Sequence, residues 1–327
     1  MKLLRRQLPN GAVAVLCFVA ALFACWHEAR SQTARTIKVV VAAPPGGASD
    51  SLARLMAEQI GRGHAVTMMV ENRPGASTAI GTDAVARAAP DGNTLLIVTP
   101  SFVINSQLRK LTYGPLTSFE PICNLVQSPQ LIVVNSASPY RTLGELLRAA
   151  QTKPGGLTMA GAGPATGLHI AFEMLKRAAK VDMTFVPYPG DAAAVNALLG
   201  EHVASVFAPY PGIKEQLNAG NLRALATASR ERAKALPDVP TFAEAGYDEV
   251  DSGIWQGIVA PANTPKETIA RLADWFTAAL LVPEVTLKLV TLGRYPAGTC
   301  GADFAALLRK QYYDFGRAIR EANISAD

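Results

Sequence analysis

The chain has 327 residues, is 49% hydrophobic and 17% charged, and carries a formal net charge of +5. That length is too great for one compact core and suits two units of ordinary size. No Lys/Arg run stands out, which argues against a nucleic-acid partner, and no His has a second His or a Cys at metal-ligand spacing.

The N-terminus opens with Lys2, Arg5 and Arg6, followed by an uncharged, mostly apolar run from Gly11 to Trp26 that ends in polar residues 27–31. A membrane-spanning helix needs about 20 apolar residues, so the run reads as a cleavable export signal over residues 1–32. Leu22-Phe23-Ala24-Cys25 resembles a lipoprotein signal, but Phe23 is bulky where that signal takes a small residue, which weighs against lipid anchoring at Cys25. Removing the signal takes Lys2, Arg5, Arg6, Arg30 and Glu28 with it and leaves a charge of +2. Cys123 and Cys300 remain. An oxidising compartment would allow them to pair, but two lone thiols in apolar settings is the preferred reading.

Ile37-Lys38-Val39-Val40-Val41 is a β-branched run and predicts a buried strand. Residues 42–49 supply Pro-Pro-Gly-Gly, a tight loop, and Leu52, Leu55, Met56 and Ile60 follow at helical spacing. Strand, glycine loop and helix form the unit of an open parallel sheet. The layout recurs. Residues 67–70 and 93–98 read as strands, with 84–88 on a helix between them, and residues 131–134 as another strand. Thr142 is a good N-cap for a helix over 143–150. Residues 157–160 feed a second glycine loop and a helix with Leu168, Phe172 and Leu175 on one face. A strand over 183–186, closed by Pro187, precedes a helix over 192–199 that Gly200 ends. Strands over 203–208 and 222–227 flank a helix over 213–219. Pro237 and Pro240 place residues 236–241 in a surface turn, and a strand over 255–260 stops at Pro261. The last helix carries Phe304, Leu307, Leu308, Tyr312, Phe315 and Ile319 as one apolar stripe.

Both glycine loops are candidate anion sites. The first, Pro44-Pro45-Gly46-Gly47-Ala48-Ser49-Asp50, opens a helix whose leading amides lack internal partners and carry the positive end of its dipole. Glycine lets a ligand approach the backbone closely, so the loop suits a carboxylate, sulfate or phosphate. A plain turn with Asp50 bonding nearby amides is an equal reading of that loop alone. The second loop, Ala160-Gly161-Ala162-Gly163-Pro164-Ala165-Thr166-Gly167, has the same placement. It approaches G-x-G-x-x-G but has Thr166 at the third glycine, and no G-x-x-x-x-G-K-[ST] occurs, so a nucleotide is not indicated. Two anion-ready helix starts in the two halves of one chain say more than either alone.

Catalytic patterns are missing. No G-x-S-x-G is present, and neither remaining cysteine has a base in a recognisable arrangement. Beyond the signal the histidines are His64, His169 and His202; His169 lies one turn into the second loop's helix, where capping or interlobe packing outweighs ligand contact. Asp182, Asp191, Glu201, Asp238, Glu244 and Asp251 are scattered as on a solvated surface. No catalytic residue, metal or cofactor is assigned.

Over nearly the whole mature chain the sequence resembles the Bug, or TctC, family, the periplasmic binding component of tripartite tricarboxylate transporters. The matching stretches include Pro45-Gly-Gly-Ala-Ser-Asp50-Ser-Leu-Ala-Arg54, Val70-Glu-Asn-Arg-Pro-Gly75, Ala89-Pro-Asp-Gly-Asn-Thr-Leu95, Val186-Pro-Tyr188, Leu236-Pro-Asp-Val-Pro-Thr241 and Ile258-Val-Ala-Pro261. The resemblance implies an α/β, two-lobe, type II periplasmic-binding fold with open, mainly parallel sheets, flanking helices and a cleft between lobes. Lobe I would comprise 33–128 and 256–327, and lobe II 129–255, with hinges near 125–130 and 250–260. It also implies that the ligand carboxylate is held by Pro45, Gly46, Gly47, Ala48 and Ser49, with Asp50 bracing, and by Gly161, Ala162, Gly163, Pro164, Ala165, Thr166 and His169. Ser101, Phe102, Tyr188, Pro189, Gly190 and Asp191 would shape the walls, and Ala208 would face the pocket.

Three departures bear on the ligand. Ala42-Ala43 stands where the family commonly has Pro-Phe, Thr166 is the only hydroxyl left in the second loop, and Asp191 replaces a small or neutral residue. In the cleft, Asp191 would repel a second carboxylate or attract an amine. The expected role is a monomeric, non-enzymatic solute-binding protein of the periplasm, delivering a small organic carboxylate to a membrane permease or a sensor. The alternatives are a hydrolase or other enzyme on the same scaffold, and an orphan or sensory paralogue.

Overall fold

The structure is a computed structural model that describes residues 35–163, 166–229, 231–250 and 253–325. The expected export signal over 1–32, and Pro164, Ala165 and Asp251, lie outside the described residues.

The chain begins with β1 (Arg35–Val41), α1 (Ala48–Gly63), β2 (Val66–Asn72), α2 (Ala79–Ala86), β3 (Thr94–Val98), α3 (Ser101–Leu108) and β4 (Phe119–Ser128). It continues through β5 (Gln130–Asn135), α4 (Leu143–Thr152), β6 (Thr158–Ala162), α5 (Gly167–Ala178), β7 (Thr184–Tyr188), α6 (Asp191–Leu199), β8 (Ser205–Pro209), α7 (Tyr210–Asn218) and β9 (Leu222–Thr227). It returns with β10 (Ile254–Pro261), α8 (Lys266–Leu281), α9 (Pro283–Thr291), β11 (Tyr295–Cys300) and α10 (Ala302–Glu321).

Two sheets result. The first has six strands in the order β11-β4-β10-β3-β1-β2, and the second has five in the order β7-β6-β8-β5-β9. Pro129 alone separates β4 in one sheet from β5 in the other; the chain crosses back between β9 and β10. The expected mainly parallel sheets need correcting. Only the strand–loop–helix units pair in parallel, β1 with β2 and β3, and β6 with β7 and β8, each through its two sides. The strands that carry the chain between sheets, with β11, pair antiparallel, so both sheets are mixed.

Helices cover both faces, which is why the central strands read as continuous apolar runs. In β1, Ile37, Val39 and Val41 pack with Leu52 and Met56 of α1 and Phe276 of α8, while Val40 faces Phe304, Leu308 and Phe315 of α10. The second sheet has the same double layer: Phe172 and Leu175 of α5 lie against Met159 and Phe207, and Val195 and Leu198 of α6 against Val206 and Ala208. Thr142 caps α4 by accepting from the Glu145 N–H.

Several local expectations change. β7 runs through Pro187 to Tyr188, because β7 is an edge strand and proline's missing N–H costs no ladder bond there. β8 begins only at Ser205, and α2 ends at Ala86, short of residue 88. The two lone thiols are replaced by a disulfide: Cys300 lies opposite Cys123 in the β11–β4 ladder and the two are bonded across 177 residues of chain. Among the described residues no helix is long and apolar enough to cross a membrane.

Candidate functional site

The first glycine loop joins β1 to α1. Gly46 has φ +82, a left-handed conformation suited to glycine, and Gly47 precedes the helix in an extended conformation with no side-chain cap. The Gly46 N–H donates to Asp50 Oδ2 at 2.9 Å, and Arg54 Nε donates to the same oxygen at 3.0 Å. The hydrogen bond from Arg54 is the main reason that the Asp50 carboxyl is held at about 2, against an opposing effect of burial. Asp50 is thus an anion that braces the loop. Pro44 and Pro45 have no N–H to give, and the N–H groups of Gly47, Ala48 and Ser49 meet no acceptor among the described residues. Ser49 Oγ accepts from Gln256 Nε2 at 2.9 Å, so its own proton remains available.

Beside this loop lies a small cavity of about 70 Å³, lined among others by Ala42, Ala43, Ser49, Thr78, Thr82, Ser101 and Phe102. Three of the expected residues, Ser49, Ser101 and Phe102, therefore meet. Ser101 shares a hydrogen bond of 2.8 Å with Thr99. Phe102 is only 2% exposed and sets its ring edge-on to Phe119 at 5.1 Å, so it belongs chiefly to the core. Thr78 and Thr82 were not read from the sequence. Ala76, Ser77 and Thr78 have φ of 47, 52 and 83, a left-handed run of non-glycine residues. Asn105 steadies it by donating to the Ser77 carbonyl and to Thr78 Oγ1. Such backbone costs about 1–3 kcal/mol per residue and collects at functional sites. No sequence signal marks it, since the usual rule looks for glycine at positive φ.

The second loop is shorter than the sequence implied. Gly161 and Ala162 belong to β6, paired with Pro187 and Tyr188, so neither lies in the loop. The absent side chain of Gly161 makes room for Phe185, whose ring carbons would approach a Cβ there to 3.1 Å. Gly163 gives its N–H to the Tyr188 carbonyl at 2.9 Å. Thr166 is the N-cap of α5 and accepts from the His169 N–H at 3.3 Å. The N–H groups of Gly167 and Leu168 then remain without an acceptor among the described residues. A Cβ on Gly167 would lie 3.7 Å from Ile104 Cδ1 and 4.0 Å from Pro100 Cβ, so the start of α5 abuts the start of α3. Pro100 stands between Thr99 and Ser101, two residues that line the cavity by the first loop.

The remaining expected residues divide. The His169 ring stacks on Phe185 with centroids 4.3 Å apart, and its Nε2 is 4.0 Å from Glu173, with burial lowering its pKa. Tyr188, Pro189 and Gly190 form the turn from β7 into α6, where Gly190 has φ +134. Asp191 is not a solvated surface carboxylate: its Oδ1 is buried with no hydrogen-bond partner, and burial raises its pKa. Ala208 is a correction. Its side chain is fully buried among Leu131, Val133 and Val206, on the β8 face that α6 and α7 cover, and it offers the cleft no surface.

A larger cavity, about 510 Å³, lies elsewhere, between α5 and α10. Its walls mix apolar residues such as Met174 and Val181 with charged groups of both signs, several already paired, such as Arg177 with Glu321 and Lys310 with Asp314. Among the described residues no three His, Cys, Asp or Glu side chains gather as metal ligands.

The chain matches the family described as "Tripartite tricarboxylate transporter family receptor" over residues 52–324. It is 32% identical to the periplasmic binding protein BugD, with a TM-score of 0.68, over 89% of this chain and 98% of that one. A protein of R. palustris solved with adipate is 29% identical, with a TM-score of 0.72, over 90% and 99% of the two chains. MatC of Rhodopseudomonas palustris, solved with bound malate, is 29% identical, with a TM-score of 0.67, over 88% and 99%.

Proposed function

Because the chain belongs to the tripartite tricarboxylate transporter receptor family, whose members are periplasmic solute-binding proteins, we propose that it captures a small organic carboxylate between two lobes and passes it to a membrane permease. One observation carries this reading. The main-chain N–H groups of Gly47, Ala48 and Ser49 at the start of α1, and of Gly167 and Leu168 at the start of α5, have no acceptor among the described residues. Helix starts of this kind suit a carboxylate, and each charge-assisted hydrogen bond contributes roughly 1.5–3 kcal/mol. Several together reach micromolar affinity after the cost of association. The adipate and malate held by two similar proteins are ligands of this class.

On this reading the protein is exported with loss of residues 1–32, works as a monomer in the periplasm, and catalyses nothing. Lobe I comprises 33–128 with 256–327, and lobe II 129–255. Pro45 to Ser49 and Ser101 line one wall, and the second loop through Thr166 lines the other. The cavity of about 70 Å³ accommodates a carboxylate head and a few waters rather than a whole adipate, so the lobes part to admit the rest.

Thermal unfolding in the presence of adipate, malate, succinate and aromatic acids tests this. A ligand at 100 times its Kd adds about 2.7 kcal/mol of stability, so at least one acid raises the Tm clearly. A flat response across the panel overturns the reading.

A further inference from the structure

Two groups of opposite charge, neither in an ion pair among the described residues, lie by the first turn of α7. On one side Asp191 opens α6, with Oδ1 buried and unpartnered. Its side chain rests on Gly212: a Cβ there would lie 3.4 Å from Asp191 Cβ and 3.8 Å from Oδ2. On the other side the same turn meets Gly293, where a Cβ would lie 3.0 Å from Pro211 Cγ and 3.1 Å from Tyr210 Cδ1. The next residue, Arg294, donates Nη1 to the Ala48 carbonyl at 3.0 Å, within the first anion loop's helix start. Half-buried, Arg294 forms no ion pair among the described residues. Asp50 is the contrast: a buried carboxylate of the same loop, but one with Arg54 as its counter-ion.

A carboxylate removed from water without a partner is destabilising, and a cation placed against it relieves the cost. A plain dicarboxylate brings a second anion toward Asp191 instead, which is repulsive. We propose that Asp191 and Arg294 select an amino carboxylate, whose ammonium donates to Asp191 while its carboxylate meets Arg294 and the free amides of the first loop. This rests on the carboxylate-binding reading and narrows it to a zwitterionic class. Asp191 also stands in the first turn of a helix, where an acid interacts favourably with the dipole. That role predicts an effect on stability alone, with no preference between ligands.

Calorimetry with matched pairs separates these: succinate against aspartate, glutarate against glutamate, adipate against 2-aminoadipate. The wild type binds the amino member of at least one pair 10-fold or more tightly than its parent. Asp191→Asn loses 10-fold or more for that amino acid and none for the parent, whereas Arg294→Gln weakens both members alike. Asp191→Ser serves if the Asn variant does not fold, and the wild-type comparison needs no variant. Parents that bind as tightly as their amino partners overturn the proposal and leave the carboxylate reading intact. An Asp191→Asn protein that keeps the wild-type preference, or weakens both members equally, overturns the role of Asp191. Binding of neither member of any pair, together with no plain acid, sinks both readings.

Discussion

Asp50 decides which amides of the first loop are left for a ligand. By accepting from Gly46 and Arg54 it removes one N–H from use and braces the loop that carries the next three. Its carboxyl, at about 2 in the folded chain, stands well below the roughly 3.9 of an unfolded Asp. The depressed value means that its contribution is fully present above about pH 4 and fades as the pH falls toward 2. With Arg54 more than half exposed, solvent screening reduces that contribution to about 1–2 kcal/mol. Urea unfolding of wild type and Asp50→Asn therefore shows a stability difference at pH 6 that shrinks between pH 4 and pH 2. A difference independent of pH contradicts this account of the brace. The glycines made this loop legible in the sequence, because strand, Gly-Gly and helix is a local pattern. Ser77 and Arg294 were not legible as site residues: each owes its interest to neighbours far away in the chain.

Among the elements, α2 shows how the cavity wall is set. Gly81 lets α2 lie directly on the end of β1, since a Cβ there would come within 2.7 Å of the Arg73 carbonyl and 2.8 Å of Ala42 Cβ. Gly81→Ala forces the helix off Ala42, which lines the cavity, and is expected to cost about 1–3 kcal/mol. A thermal unfolding temperature equal to wild type contradicts that packing. Elements buried on both faces were readable: β1, β3, β5 and β9 match apolar runs, and the stripe from Phe304 to Ile319 marks α10. β4 and β11 were not. Pro121 and Asn124 interrupt one, Pro296 and Gly298 the other, and both depend on neighbouring strands for their conformation. The disulfide was only the less favoured reading of the two cysteines for the same reason. Its two cysteines meet only through the register of strands that local sequence does not announce.

For the whole molecule, the two sheets are joined by two passages, a single residue at Pro129 and the return from β9 to β10. Beyond them the two halves touch where Gly167 meets Pro100 and Ile104, where Gly293 meets Tyr210 and Pro211, where Arg177 pairs with Glu321, and where Ile170 and Met174 of α5 join the cluster of Phe102, Val103 and Phe304. Hinge motion about the passages admits a ligand at the cost of parting these contacts, of which the one at Ile170 is buried. A saturating carboxylate accordingly lowers the radius of gyration in solution scattering, and superimposable profiles with and without it contradict closure. The two-unit organisation was visible in chain length and in the repeated strand–loop–helix layout. Which residues touch across the gap was not, because that depends on how two separately folded surfaces meet. The central claim is that unpaired main-chain N–H groups hold the ligand, and Ala48→Pro tests it most directly. Proline at the first helical position suits the helix, and Gly47 already has the extended conformation that proline requires of its predecessor, with φ −76 and ψ 179. The substitution deletes one donor and little else. Titration calorimetry is expected to show the best-binding carboxylate weakened about 10-fold or more, as loss of one charge-assisted hydrogen bond requires, with the Tm unchanged. Undiminished affinity in a folded Ala48→Pro protein contradicts the account.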